Sequence, residues 1–198
     1  MSGTIDPKYA DRLERLSGLW WKRVLDVQRP YRWNLRRLGL GRTLEVGCGV
    51  GRNLKSLQAG SVGIDHNPQC VEAAKSQGLA AYTPEEFFCS PNSSEQFDSL
   101  LLAHVLEHVA APEADALLGT YLSFLRPGGQ VVMITPQEAG YRSDPTHVRF
   151  VDFHGLRVHA EHVGVAVSRI YSFPFPRWVG RYFPYNEFVC VATWPSPA

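Results

Sequence analysis

Arg42-Thr43-Leu44-Glu45-Val46-Gly47-Cys48-Gly49-Val50-Gly51-Arg52-Asn53 is the stretch on which the reading of this chain turns. Arg42 to Val46 has the pattern of a short buried strand. Gly47, Gly49 and Gly51 follow at once, and the polar run from Arg52 to Gln58 reads as the start of a helix. A glycine-rich turn in that context lets backbone amides and a helix terminus come close to a ligand. By itself the spacing also suits a nicotinamide oxidoreductase.

Two carboxylates refine the choice. Asp65 closes the next strand pattern, residues 61–65, twenty positions after Glu45. At the neighbouring strand tip of a doubly wound sheet, a carboxylate accepts hydrogen bonds from both hydroxyls of a ribose. Glu45 ends the first strand, where it repels a pyrophosphate and attracts an ammonium group. An amino-acid-bearing nucleoside fits the pair better than a dinucleotide.

Outward from this core, strand and helix patterns alternate. Residues 68–78 have helical periodicity closed by Gly78, and residues 79–82 are a third strand candidate. A turn-rich segment, 90–96, precedes the central strand pattern 97–103. Residues 113–125 read as a helix closed by Arg126-Pro127-Gly128-Gly129, and residues 130–135 as a strand. This is the pattern of a doubly wound α/β domain with a mostly parallel sheet. Residues 164–173 and 186–194 are two late strand candidates, joined by an aromatic loop expected to fold against the rest.

Residues 43–53, 62–78, 97–109 and 125–136, in that order and spacing, resemble the successive motifs of class I, Rossmann-like methyltransferases dependent on S-adenosylmethionine. The likeness is closest to the group containing small-molecule and quinone-pathway enzymes. It is good over residues 40 to 140 and weak over the last 50. It implies a seven-stranded doubly wound sheet in a domain 40–198, preceded by a helical cap, 1–39. It also implies S-adenosyl-L-methionine as cofactor and S-adenosyl-L-homocysteine as product. Glu45, Gly47, Cys48, Gly49 and Gly51 would cradle the methionine part, and Asp65 the ribose. His66 would pack near the adenine, and Leu102, Ala103 and His104 would lie under the cofactor. Where such enzymes often read the adenine amino group with an acidic residue, this chain has Thr83. Glu85 and Glu86 beside it look like the start of a helix, in a Thr-Pro-Glu-Glu capping pattern.

His104-Val105-Leu106-Glu107-His108 matches the motif of inverted zinc peptidases, which belongs inside a helix. Here a strand pattern runs straight into His104, so that activity is set aside and no metal site is expected. Just past the fifth strand, Tyr141 to Arg149 forms a polar loop beyond a strand's carboxyl end, where ligands of open α/β sheets bind. His147 is the leading candidate for a general base, with Asp144 as its orienting partner, and His104 is the second. The bland alternative is that Asp144 caps a turn and His147 makes a structural bond. Arg142 or Arg149 would hold an anionic group. His154, His159 and His162 read as ordinary helix residues.

Residues 6 to 38 are aromatic and basic and read as two helical pieces interrupted near Pro30. With Trp20, Trp21 and Trp33 there, and Phe173, Phe175, Trp178, Tyr182 and Phe183 with Arg177 and Arg181 near the end, an aromatic, lipid-like or glycosylated acceptor with an anionic part is expected. The same surfaces suit a homodimer.

Composition bounds the alternatives. The 198 residues are 44% hydrophobic, and 20 Lys plus Arg balance 19 Asp plus Glu to a net charge of +1. That gives no support for nucleic acid as a partner and weakens an RNA methyltransferase reading. A protein methyltransferase or a non-catalytic cofactor-binding regulatory domain remains as an alternative. Four scattered cysteines form no CxxC pair. With no signal-peptide or membrane-spanning pattern, a cytoplasmic location is expected.

Overall fold

The structure, a computed structural model, describes residues 29–195. Trp20 and Trp21, with most of the expected cap, lie outside the described residues. The chain divides into two compact units between Ser93 and Ser94. Seven strands form a mixed, mostly parallel sheet.

The first unit contributes β1 (Thr43–Val46), β2 (Val62–Ile64) and β3 (Ala81–Tyr82), all parallel, in the order β3-β2-β1. It is preceded by α1 (Arg29–Leu38), which buries Asn34, Leu35 and Leu38. Pro30 sits in the first turn of α1, where its missing N–H would have no helical partner anyway. α2 (Pro68–Lys75) starts on an Asn67 cap whose side chain accepts from Gln69 N, and it buries Cys70, Val71 and Ala74 on one face. α3 (Pro84–Cys89) opens with the capping box that the sequence suggests between Thr83 and Glu86.

One expectation fails. The run after Gly51 holds a single 3-10 turn, Leu54–Ser56, and no α-helix. Only ten residues separate Gly51 from Val62, and they must also carry the chain back to the start of β2. An ordinary three-turn helix would by itself use about 11 residues.

The second unit has β4 (Phe97–Ala103), α4 (Ala111–Leu122), β5 (Leu125–Pro136), α5 (Glu138–Ser143), α6 (Phe153–His162), β6 (Ala166–Phe173) and β7 (Glu187–Thr193). β4 and β5 are parallel, with Leu100 opposite Val131 and Leu102 opposite Met133. β7 runs antiparallel between β5 and β6, and Cys190 pairs with both Met133 and Ile170. Phe188 to Ala192 are buried throughout, the continuous apolar run that a strand covered on both faces requires. Both late strands are therefore present, and the last in sequence lies inside the sheet. Among the described residues, no helix is long and apolar enough to cross a membrane.

Candidate functional site

The glycine turn is dictated by its backbone. Gly47, Gly49 and Gly51 all have positive φ, at 76°, 53° and 81°. Side chains rarely adopt that region, and a Cβ on Gly51 would also stand 2.3 Å from Leu79 Cδ1. The amides of Gly47 and Cys48 both reach the Ile64 carbonyl, at 2.7 and 3.0 Å, which folds the turn back onto β2. Cys48 turns its thiol into a cluster with Val71, Ala74 and Ala81, where burial pushes its pKa up. Only the backbone of Cys48 is left to meet a ligand.

Glu45 is 1% exposed. Asn53 Nδ2 donates to its Oε1 at 2.9 Å, while Oε2 is buried with no hydrogen-bond partner. Burial pushes this carboxyl up to about 8; the Asn53 hydrogen bond pulls back, and the nearby Asp65 charge adds to the rise. Sequence reasoning placed Glu45 but missed Asn53.

Asp65 is engaged in a second way. Its Oδ2 accepts from Gly49 N at 2.8 Å and its Oδ1 from Asn67 N at 2.9 Å. The carboxylate thus braces the glycine turn and the entry to α2, and each oxygen retains a lone pair. His66 Nδ1 is 3.7 Å from Asp65 Oδ1, on a side chain that is largely exposed. The Thr83 hydroxyl accepts from Glu86 N at 3.3 Å, and Glu86 in turn takes the Thr83 amide at 3.0 Å and Lys75 Nζ. Thr83 and Glu86 are occupied in capping.

In the second unit, Leu102 is fully buried at the end of β4, and Ala103 and His104 follow. His104 is a non-glycine residue at φ 60°, a backbone state that costs about 1–2 kcal/mol. Its Nε2 is 2.9 Å from Glu187 Oε1, and its Nδ1 is 3.3 Å from Glu107 Oε1. Partial enclosure works against a charge on this ring, but the Glu107 and Glu187 carboxylates outweigh it and hold the pKa well above the ordinary histidine value. A histidine that keeps its proton is poorly suited to accept another at neutral pH. Glu187 had no signal in the sequence: it lies 83 residues from His104, on β7.

Glu107 and His108 occupy a 3-10 turn, Leu106–His108, and the motif beginning at His104 is not helical. Beside them lies His147, whose Nδ1 meets the Tyr141 carbonyl at 2.7 Å and whose ring stacks on Tyr141. Asp144 does not orient that ring. Its Oδ1 takes both the amide and the hydroxyl of Thr146, at 3.0 and 2.8 Å, because that short side chain is nearer. The bland reading of Asp144 is the correct one.

The arginines expected to hold an anion are largely spent on structure. Arg149 Nε donates to the Val109 carbonyl and Nη2 meets His159 Nε2 at 2.6 Å, with Asp115 bonded to the other side of that ring. Arg142 donates to the Arg181 carbonyl, and Arg177 pairs with Glu138 and lies over the Phe188 ring. The aromatic loop 174–186 is fixed at its neck. Fully buried Asn186 donates to Gln137 Oε1 at 3.0 Å and Ser172 Oγ at 2.9 Å, and accepts from Phe175 N at 2.9 Å. At the tip, Trp178 is 67% and Tyr182 80% exposed.

A mostly parallel doubly wound sheet with an antiparallel β7, and a triple-glycine turn flanked by two acidic strand tips, defines the class I, Rossmann-like methyltransferase architecture. Residues 6–169 match the family model described as a methyltransferase domain, and the chain belongs to that family. Among curated relatives, a ubiquinone biosynthesis O-methyltransferase of Rhodopseudomonas palustris is 26% identical over 68% of this chain and 64% of its own length. The chain thus spans somewhat less than two thirds of that relative. Among solved structures, magnesium protoporphyrin IX methyltransferase from Synechocystis, with bound SAH, superposes at a TM-score of 0.66 with 16% identity over 96% of both chains. A SAM-dependent methyltransferase from Archaeoglobus fulgidus gives 0.64 with 19% identity, over 84% of this chain and 94% of that one.

Proposed function

We propose that this protein transfers a methyl group from S-adenosyl-L-methionine to an oxygen of a small, quinone-like aromatic acceptor. The observation that carries the cofactor half is Glu45 Oε2, a buried carboxylate oxygen with no partner at a strand tip beside a glycine turn. An ammonium group supplies what that oxygen lacks and draws the carboxyl into its ionised form, whereas a pyrophosphate would gain nothing from it. Asp65 offers its remaining lone pairs to a ribose diol, and its bonds to Gly49 and Asn67 keep it in place for that. When bound, the cofactor supplies a methyl group on a positively charged sulfur, already activated for transfer. The acceptor half rests on the curated relatives, which are named for quinone O-methylation. The exposed aromatic tip of loop 174–186 suits an apolar aromatic ligand. Residues 1–39 are proposed as a helical cap, of which α1 is the described part.

Isothermal titration with S-adenosylmethionine, S-adenosylhomocysteine and NADH tests the cofactor half. Binding of the first two and not the third is expected. Tight NADH binding with no response to either methionine derivative would sink it.

A further inference from the structure

Glu107, His108 and His147 bring one carboxylate and two imidazoles together, with one ligand atom of each within 4.8 Å of the others. Glu107 is 0% exposed, and neither oxygen of its carboxylate has a hydrogen-bond partner. His104 Nδ1 stands 3.3 Å from its Oε1 as an ion-pair contact, and Oε2 meets no such group. The Glu107 carbonyl accepts from the amides of Val148 and Arg149 at 2.8 and 3.3 Å, and so fixes the chain immediately after His147.

The two rings are each held by one nitrogen. His147 Nδ1 faces the Tyr141 carbonyl at 2.7 Å, and His108 Nδ1 faces the Thr146 carbonyl at 3.3 Å and its hydroxyl at 3.2 Å. A carbonyl only accepts, so Nδ1 carries the hydrogen in each ring and Nε2 carries the lone pair. Metal-binding histidines are oriented in this way, by a carbonyl or carboxylate on the nitrogen that does not ligate. His147 Nε2 lies 3.9 Å from Glu107 Oε1, beyond hydrogen-bond range. That gap admits one ion, since ligands about 2.0–2.2 Å from a shared metal stand 3–4 Å apart. The rings of His108 and His147 pack edge to face at 4.7 Å, and Tyr141 backs the second of them.

We infer that Glu107, His108 and His147 bind a divalent transition-metal ion. Two imidazoles and one carboxylate favour the zinc, iron or cobalt class over magnesium or calcium, which prefer all-oxygen shells. Three protein ligands leave open positions, the hallmark of a site that also takes water or a substrate oxygen. The motif beginning at His104 thus contributes two ligands, and the third comes from the loop after β5. The ion site rests on these side chains alone. Only if the methyl-transfer reading also holds would its open position take an acceptor hydroxyl and make it more acidic.

The test is a titration of the full, chelator-stripped chain with Co²⁺, read by visible d–d absorption, with Zn²⁺ as competitor. The expected result is one equivalent bound and displaced by Zn²⁺. His108→Ala and His147→Ala should each weaken binding at least about 10- to 100-fold. Glu107→Gln, which keeps the shape, should do likewise, while the exposed His154→Ala should bind as the wild type does. Circular dichroism checks that each variant is folded. Absence of the band in the wild type, or its persistence in a folded His108→Ala/His147→Ala double variant, overturns the inference. S-adenosylhomocysteine binding by the stripped protein is measured separately, so failure of the metal site and failure of the cofactor reading are told apart.

Discussion

The glycine turn of the first unit and the strand tip of the second solve the same task, presenting polar groups at the end of a strand, by opposite means. Around Gly47 to Gly51 the backbone does the shaping, and Asp65 is bonded on both oxygens. Only one carboxylate oxygen there, Glu45 Oε2, is left over. Around His104 the backbone is strained at a non-glycine residue, and the buried Glu107 carboxylate has the His104 ring against Oε1 and no hydrogen-bond partner on Oε2. The first region is a mould in which nearly every polar group is already engaged. The second places its cost in a strained backbone and in buried charge.

The largest expected effect isolates the one leftover oxygen of the mould. Glu45 titrates near 8 in the fold against 4.5 ordinarily, so the folded protein favours its protonated form. The stability this group contributes is full below pH 4.5 and is lost as pH rises through about 8. In the unliganded protein, unfolding free energy should fall by up to roughly 1.4 kcal/mol per pH unit within that window, relative to Glu45→Gln. Urea melts of both proteins across the window measure the difference. Parallel curves would mean that Glu45 is solvated or already paired.

A smaller effect separates backbone shape from packing within the mould. Gly51→Ala meets both the left-handed φ and Leu79, whereas Gly78→Ala, at φ 76°, meets nothing within 4 Å. About 1–2 kcal/mol is expected for Gly78→Ala, from conformation alone. Gly51→Ala should lose about 1–3 kcal/mol more, from overpacking. Equal losses by chemical denaturation would show that Leu79 gives way freely.

The smallest effect is also the sharpest, because it predicts opposite signs. Asp65→Ala leaves the Gly49 and Asn67 amides short of an acceptor and should cost about 1.5–3 kcal/mol. His104→Gly/Glu107→Met in metal-free protein removes the left-handed non-glycine backbone and the buried charge pair together, and should raise stability by about 1–3 kcal/mol. Melting temperatures moving the same way in both variants would erase the contrast between the two regions.

The mould was the legible half. Glycines and strand-end carboxylates advertise themselves because few other residues can do their work, and the Thr83 cap needs only four consecutive residues. The helix after Gly51 was misread because a local pattern does not register how few residues remain before β2. The strand tip was harder for a different reason. Its pairing of His104 with Glu187 depends on β7 entering the sheet beside β5, a long-range event that no periodicity records. Asp144 was assigned to His147 from proximity in sequence, and the Thr146 hydroxyl, closer still, took it.

Asn186 has a consequence for how this chain can change. It ties the neck of the 174–186 loop to Gln137, Ser172 and Phe175 from a fully buried position, while Trp178 and Tyr182 stand at the tip in solvent. Variation at the tip is thereby uncoupled from the stability of the sheet, since exposed substitutions usually move stability by no more than about 0.5 kcal/mol. A lineage, or a mutagenesis library, can rewrite positions 178 and 182 at almost no cost in folding, provided that 186 stays asparagine.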